Sequence, residues 1–105
     1  MKQFIVIAYD AKDKGAYERR MATRQAHVDS ISKHRAKGEI ICGIAITDNH
    51  DKMIGSVVVT NFPSRAEFDT WLNAEPYIIN KVWDNITVLN GQIGPSFIDL
   101  IKKAA

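Results

Sequence analysis

The chain has one cysteine in 105 residues, Cys42, so no disulfide can close within it. A lone thiol in an apolar, strand-like stretch fits a reducing compartment, and a cytoplasmic location is expected. Charge of one sign is also scarce. The formal net charge is +2, too little to argue for nucleic acid or an acidic membrane surface as partner. No apolar run is long enough to cross a bilayer. The apolar start, Met1 to Ala8, is short and runs at once into Tyr9-Asp10, which suits a strand better than a signal peptide. Repeats, linkers and low-complexity segments are missing too. With 46% hydrophobic and 25% charged residues, the composition is that of one globular domain over 1–105, a core of 1–90 with a tail of 91–105.

What is present is an orderly succession of elements. Gln3 to Tyr9 is β-branched or aromatic on both side-chain parities, which predicts a strand covered on both faces. A polar turn over 10–14 leads into a long helix from about Gly15 to Lys37. Its apolar stripe reads Tyr17, Met21, Val28 and Ile31, with Arg24 inside the row. Gly38 sits where a left-handed cap belongs. Glu39 to Thr47 reads as a second strand, Asp48-Asn49-His50-Asp51 as a turn, and Ile54 to Asn61 as a third strand, again apolar on both sides through Val57, Val58 and Val59. Ser64 and Glu67 carry the Ser-x-x-Glu capping pattern of a second helix. Pro76 ends that helix at or before Glu75, and Tyr77 to Asn80 adds a turn. Val82 to Leu89 is a fourth strand, and Ser96 to Lys102 a short amphipathic tail helix.

The order β-α-β-β-α-β is that of the ferredoxin-like α+β plan, an antiparallel sheet with both helices on one face. The first and third strands, the two without a polar face, are central in that plan. The face away from the helices is then an exposed apolar patch. A homodimer packing sheet against sheet is expected, giving a dimeric α+β barrel.

Chemistry is concentrated in few places. Arg20, Arg24, His27, Ile31 and His34 follow one line of the first helix. An imidazole with a pKa of about 6.5 is the usual proton carrier near neutrality, so His27 is the candidate acid or base. A partly buried histidine bonded to a backbone carbonyl satisfies the same pattern. Glu75 is the candidate carboxylate to orient it. Its place at the negative end of a helix is electrostatically poor for an ordinary surface acid. Tyr77 and Trp83 suit a pocket wall or a core equally. Gly55-Ser56 opens a central strand to a ligand or marks a bulge. Asp48, His50 and Asp51 form a polar turn without a second cluster, and His27 and His34 are too far apart for a zinc pair, so no metal is assigned. The third strand lacks the aromatic and basic residues with which this fold binds RNA.

Arg24-Gln25-Ala26-His27, Gly38, Gly43, Gly55-Ser56-Val57-Val58-Val59 and Glu75-Pro76-Tyr77 together resemble the YciI-like (YCII-related) family over about Met1 to Leu89. The resemblance implies a ferredoxin-like dimer with a site at a histidine–aspartate pair. Carried over, His27 is the histidine, Arg24 the helix arginine, Tyr77 the motif tyrosine, and Glu75 stands where the family has aspartate. Members linked to degradation of chlorinated aromatics imply dehydrochlorinase or lyase chemistry, and the superfamily includes muconolactone isomerases. Glu75 carries one methylene more than aspartate, and Ile44 stands where the family often has proline.

The expected activity is acid–base chemistry on a small cyclic or aromatic-derived acid. His27 and Glu75 would act, Arg24, Ser56, Tyr77 and Trp83 would bind substrate, and no cofactor is required. A non-catalytic dimeric ligand-binding or regulatory module is the alternative.

Overall fold

The computed structural model describes residues 1–102. The tail expected over 91–105 thus lies outside the described residues at its last three positions. The elements are β1 (Lys2–Asp10), α1 (Ala16–Ala36), β2 (Ile40–Thr47), β3 (Met53–Phe62), α2 (Arg65–Ala74), α3 (Pro76–Ile79), β4 (Trp83–Gly91) and α4 (Ile98–Lys102), the last preceded by a 3-10 turn at Pro95–Phe97. The strands form one antiparallel sheet in the order β2-β3-β1-β4. The two strands apolar on both parities, β1 and β3, are the central ones.

Local signals explain the boundaries. Gly38 has φ 78° and follows the last turn of α1. Its N–H donates to the Arg35 carbonyl and that of Glu39 to the His34 carbonyl, the paired bonds that satisfy a helix end through a left-handed glycine. At the start of α2 the Ser64 hydroxyl accepts the Glu67 N–H. The Glu67 carboxylate bonds that hydroxyl, not the Ser64 backbone, so the capping box forms only in half. Gly55 is fixed by close approach. A Cβ there would lie 2.5 Å from the Ala8 carbonyl oxygen and 3.1 Å from the Ile46 side chain, so this glycine serves the pairing of β1, β2 and β3.

Cross-strand partners share a face, so the register sorts the side chains. Phe4, Val6 and Ala8 of β1 lie beside Thr60, Val58 and Ser56 of β3, and all are buried beneath the helices. At one end Phe4, Phe62, Phe68 and Trp71 build an aromatic core, with the Phe4 and Phe68 centroids 4.7 Å apart. The opposite face carries Ile5, Ile7, Val57 and Val59, half-buried, together with the more exposed Tyr9, Ile44 and Leu89. That apolar face is open in the single chain.

Of the apolar row expected to anchor α1, only Ile31 packs against the core. Tyr17, Met21 and Val28 are exposed. The residues α1 buries are Ala16, Arg20 and Thr23, on successive turns of another face that also carries half-buried His27. Arg20 is tolerated there because Asp10 pairs with it (2.8 Å).

A second, exposed pair braces the entry to α1. Asp13 accepts two hydrogen bonds of 2.7 Å from Arg19, whose guanidinium also reaches the Lys81 carbonyl. Arg19 holds the Asp13 carboxyl down at about 2, against an ordinary 3.8. A carboxyl depressed in the fold stabilises it above the ordinary value, and that contribution is lost as pH falls through about 2. Thermal unfolding of Asp13→Asn will therefore lose less of its midpoint between pH 4 and 2 than wild type. Parallel curves would show that the pair contributes nothing.

Candidate active site

The Glu75-Pro76-Tyr77 turn places three groups by backbone geometry alone. Glu75 is extended (φ −63°, ψ 127°) as the last cap of α2 and the first cap of α3. Pro76 imposes that extended conformation on its predecessor and suits the first position of the next helix. The negative end of α2 is thereby offset. One Glu75 oxygen, Oε1, accepts the Tyr77 N–H at 3.1 Å, and the carboxylate caps α3 as it finishes α2.

The same Oε1 lies 2.6 Å from His27 Nδ1. The extra methylene of glutamate spans the gap to α1. The Glu75 side chain is completely buried and that of His27 is 15% exposed. Oε1 thus has two nitrogen neighbours, the Tyr77 backbone N–H and His27 Nδ1. In the tautomer with Nδ1 protonated, Nε2 is left without a carboxylate partner. The other carboxylate oxygen, Oε2, is buried and has no hydrogen-bond partner among the described residues.

The Tyr77 ring stacks on His27 with centroids 4.0 Å apart and planes 11° from parallel. The Arg20 guanidinium lies 4.8 Å from the centroid of that ring. Arg20 Nη1 contacts both Asp10 oxygens (2.8 and 3.1 Å), and Nη2 donates to Ser56 Oγ (3.0 Å). Trp83 Nε1–H donates to the same Ser56 oxygen at 3.2 Å, and its ring meets His27 edge-on at 6.0 Å. Burial pushes the Asp10 carboxyl up, with Arg20 pulling it back. Burial likewise raises Tyr77, opposed by Arg20 and Arg24, so the phenol stays protonated at neutral pH.

Of these groups Arg20, His27, Ser56 and Tyr77 border a cleft of about 190 Å³ between α1 and the sheet. Its walls include Arg24, His27, Val28, Ile31, Ser56 and Tyr77. The floor on β2 is made by Gly43 and Ala45, paired with Val58 and Ser56 of β3. Their lack of side-chain bulk leaves the space. Val28, read from sequence as core, is exposed cleft wall, whereas Ile31 lines the cleft and also packs against the core. Arg24 is exposed and makes no salt bridge among the described residues. Trp83 is not a cleft wall but stands behind Ser56.

Asp10 and Arg20 were not singled out by sequence reasoning as site residues. The available signal was the polar row Arg20, Thr23, His27, which keeps helical spacing as faithfully as the apolar row beside it. The second histidine–carboxylate contact, His34 Nδ1 to Glu39 Oε1 at 2.7 Å, is at the end of α1 beside Trp71, away from the cleft. In the β2–β3 turn Asp48 accepts the His50 and Lys52 N–H groups, which is a turn-making role. No helix among the described residues is long and apolar enough to cross a membrane.

Relatives share this framework. Protein YciI of Escherichia coli is 24% identical over 91 residues, covering 81% of this chain and 91% of the relative. A 5-chloro-2-hydroxyhydroquinone dehydrochlorinase from Burkholderia phenoliruptrix, solved in complex with 2,5-dihydroxybenzoquinone, superimposes with a TM-score of 0.73 at 21% identity, covering 90% of this chain and 97% of that one. A dimeric ferredoxin-like protein of unknown function from Jannaschia gives 0.52 at 12% identity, covering 89% and 100%. These likenesses establish a ferredoxin-like α+β fold. The pattern of the YCII-related domain matches residues 2–91, and the chain belongs to that family.

Proposed function

We propose that the protein is an enzyme of lyase, dehydrochlorinase or isomerase type acting on a small cyclic or aromatic-derived acid or enol. The observation that carries this reading is the buried 2.6 Å contact of Glu75 Oε1 with His27 Nδ1, which leaves Nε2 as the available base beside the cleft. In the forward step Nε2 takes a proton from the substrate. The electron pair of that bond moves into the ring; in a chlorinated hydroquinone the imidazolium returns the proton to the chlorine-bearing carbon, and loss of a second hydroxyl proton then expels chloride with its bonding pair. In an isomerisation the imidazolium returns the proton at another carbon. Glu75 faces the imidazolium formed and stabilises it by charge. Arg24, unpaired at the mouth, attracts the substrate's carboxylate or enolate oxygen. No step needs a cofactor.

The test is a panel of chlorinated hydroquinones, hydroxyquinones and muconolactones, followed by chloride release and absorbance. Turnover that depends on His27 supports the reading. If wild type consumes none of these compounds, or a variant without the imidazole consumes them equally, the reading fails.

The reading includes one domain in a reducing cytoplasm, in keeping with the unpaired, exposed Cys42, and a homodimer. Ile5, Ile7, Val57 and Val59 at the centre of the open face support sheet-to-sheet pairing. Placing a carboxylate there, as in Val59→Asp, buries a charge without a partner in any such dimer. Sedimentation should show twice the chain mass for wild type and a dissociation constant raised roughly a hundredfold or more for the variant. A monomeric wild type, or an unchanged variant, excludes this interface.

A further inference from the structure

Ser56 is held in an unusual way. A serine hydroxyl has one proton to give and two lone pairs to receive with. Here Arg20 Nη2 and Trp83 Nε1 both point at Oγ, at 3.0 and 3.2 Å. Neither group can accept a hydrogen bond, since guanidinium and indole nitrogens are donors only. Both lone pairs are therefore occupied. The hydroxyl proton is the one capacity left, and it makes no hydrogen bond among the described residues. Arg20 cannot swing away, because Asp10 holds it from the other side and both side chains are buried. Ser56 itself is only 4% exposed yet borders the cleft.

We infer that Trp83, together with Arg20, sets ligand selectivity by making Ser56 a hydrogen-bond donor only. The cleft then selects a ligand with an accepting oxygen at Ser56, such as an enolate, phenolate or ring carbonyl, and disfavours an amine or amide N–H in that position. Arg24 is another donor-only group on the wall. The fitting class is a planar molecule with two accepting oxygens and an acidic hydrogen for His27. Trp83 acts through Ser56 and does not touch the ligand, so it is a positioning residue. This deepens the proposed function and rests on its placing of the ligand in this cleft.

The experiment titrates tropolonate at pH 8 and its analogue 2-aminotropone, in which N–H donors replace one oxygen, into the protein by calorimetry. Arg24 favours the anion in every variant, so the reading is the change in the ratio of the two affinities. Ser56→Ala should weaken tropolonate roughly tenfold and leave 2-aminotropone nearly unchanged. Trp83→Phe keeps the hydroxyl but frees one lone pair. It should bind tropolonate within about threefold of wild type while 2-aminotropone gains, lowering the ratio roughly tenfold. That gain is not what loosened packing produces, and it decides the matter even if Ser56→Ala does not fold. Equal tropolonate affinity in Ser56→Ala, or parallel weakening of both probes in Trp83→Phe, overturns the inference while leaving the His27 chemistry standing. Absence of tropolonate binding to wild type overturns it together with the placing of the ligand. Conversely, preserved selectivity in a protein that turns over nothing supports the inference and sinks only the catalytic reading.

Discussion

Replacing His27 by glutamine lowers turnover by roughly 10²–10⁴-fold, the range over which a positioned acid or base contributes, and leaves the protein folded. Glutamine is the sharper probe than alanine. Its amide can still donate toward the buried Glu75 oxygen that His27 Nδ1 contacts at 2.6 Å, so the carboxylate is not abandoned in an apolar surround. It cannot carry the proton. Alanine removes the stack on Tyr77 as well, and its effect would mix lost chemistry with lost stability. Glu75→Gln completes the comparison. The amide oxygen can accept the Tyr77 N–H as Oε1 does, but the charge that faces the imidazolium is gone. The loss should fall in kcat, with binding of the substrate oxygen at Arg24 little altered. Steady-state kinetics with thermal melts of all three proteins check this. Half of the wild-type rate surviving in His27→Gln would remove the imidazole from the mechanism.

Arg20→Met destabilises the fold by about 3–5 kcal/mol at neutral pH, the usual cost of removing one member of a buried ion pair. The partner left behind is Asp10, whose side chain is 7% exposed and whose carboxyl burial already pushes up. The sign of the pH dependence follows. A carboxyl raised in the fold favours folding below its ordinary value, and that advantage disappears as pH rises through the raised range. Without Arg20 nothing opposes the upward push. The deficit of Arg20→Met should therefore be greatest at neutral pH and shrink on acidification toward pH 4. Adding Asp10→Asn should recover part of it, since an amide carries no charge to bury. Urea unfolding at two pH values measures all of this, and a deficit under about 1 kcal/mol would show that the pair is solvated.

The element order was legible because each boundary carries a local device. Gly38 ends α1, Ser64 opens α2, and Pro76 breaks α2 from α3, each acting on its own few residues. The choice of helix face was not legible. Met21 and Val28 look like core in a helical projection, whereas Arg20 and Thr23 look like solvent. The difference is made by Asp10, on the preceding strand, and by Asn80, far along the chain, which meet them (Asn80 donates to Thr23 at 3.2 Å). Periodicity sees apolar character but not the partner that makes a polar side chain burial-compatible. The placing of His27 and Glu75 near each other came from motif order, and their spacing alone did not imply it. The reach of glutamate depends on the ψ of 127° that Pro76 enforces. Trp83 reads as a wall from sequence because its indole is large and apolar. Its N–H turns it toward Ser56 instead.

Gly43 and Ala45 belong to β2, which has a neighbour on one side only, while His27 and Glu75, the pair proposed to carry the proton, belong to α1 and the α2–α3 corner. Room and reactivity are thus encoded in separate, weakly coupled parts of the chain. A lineage could exchange one small molecule for another by altering bulk on that border strand, with the chemistry inherited intact.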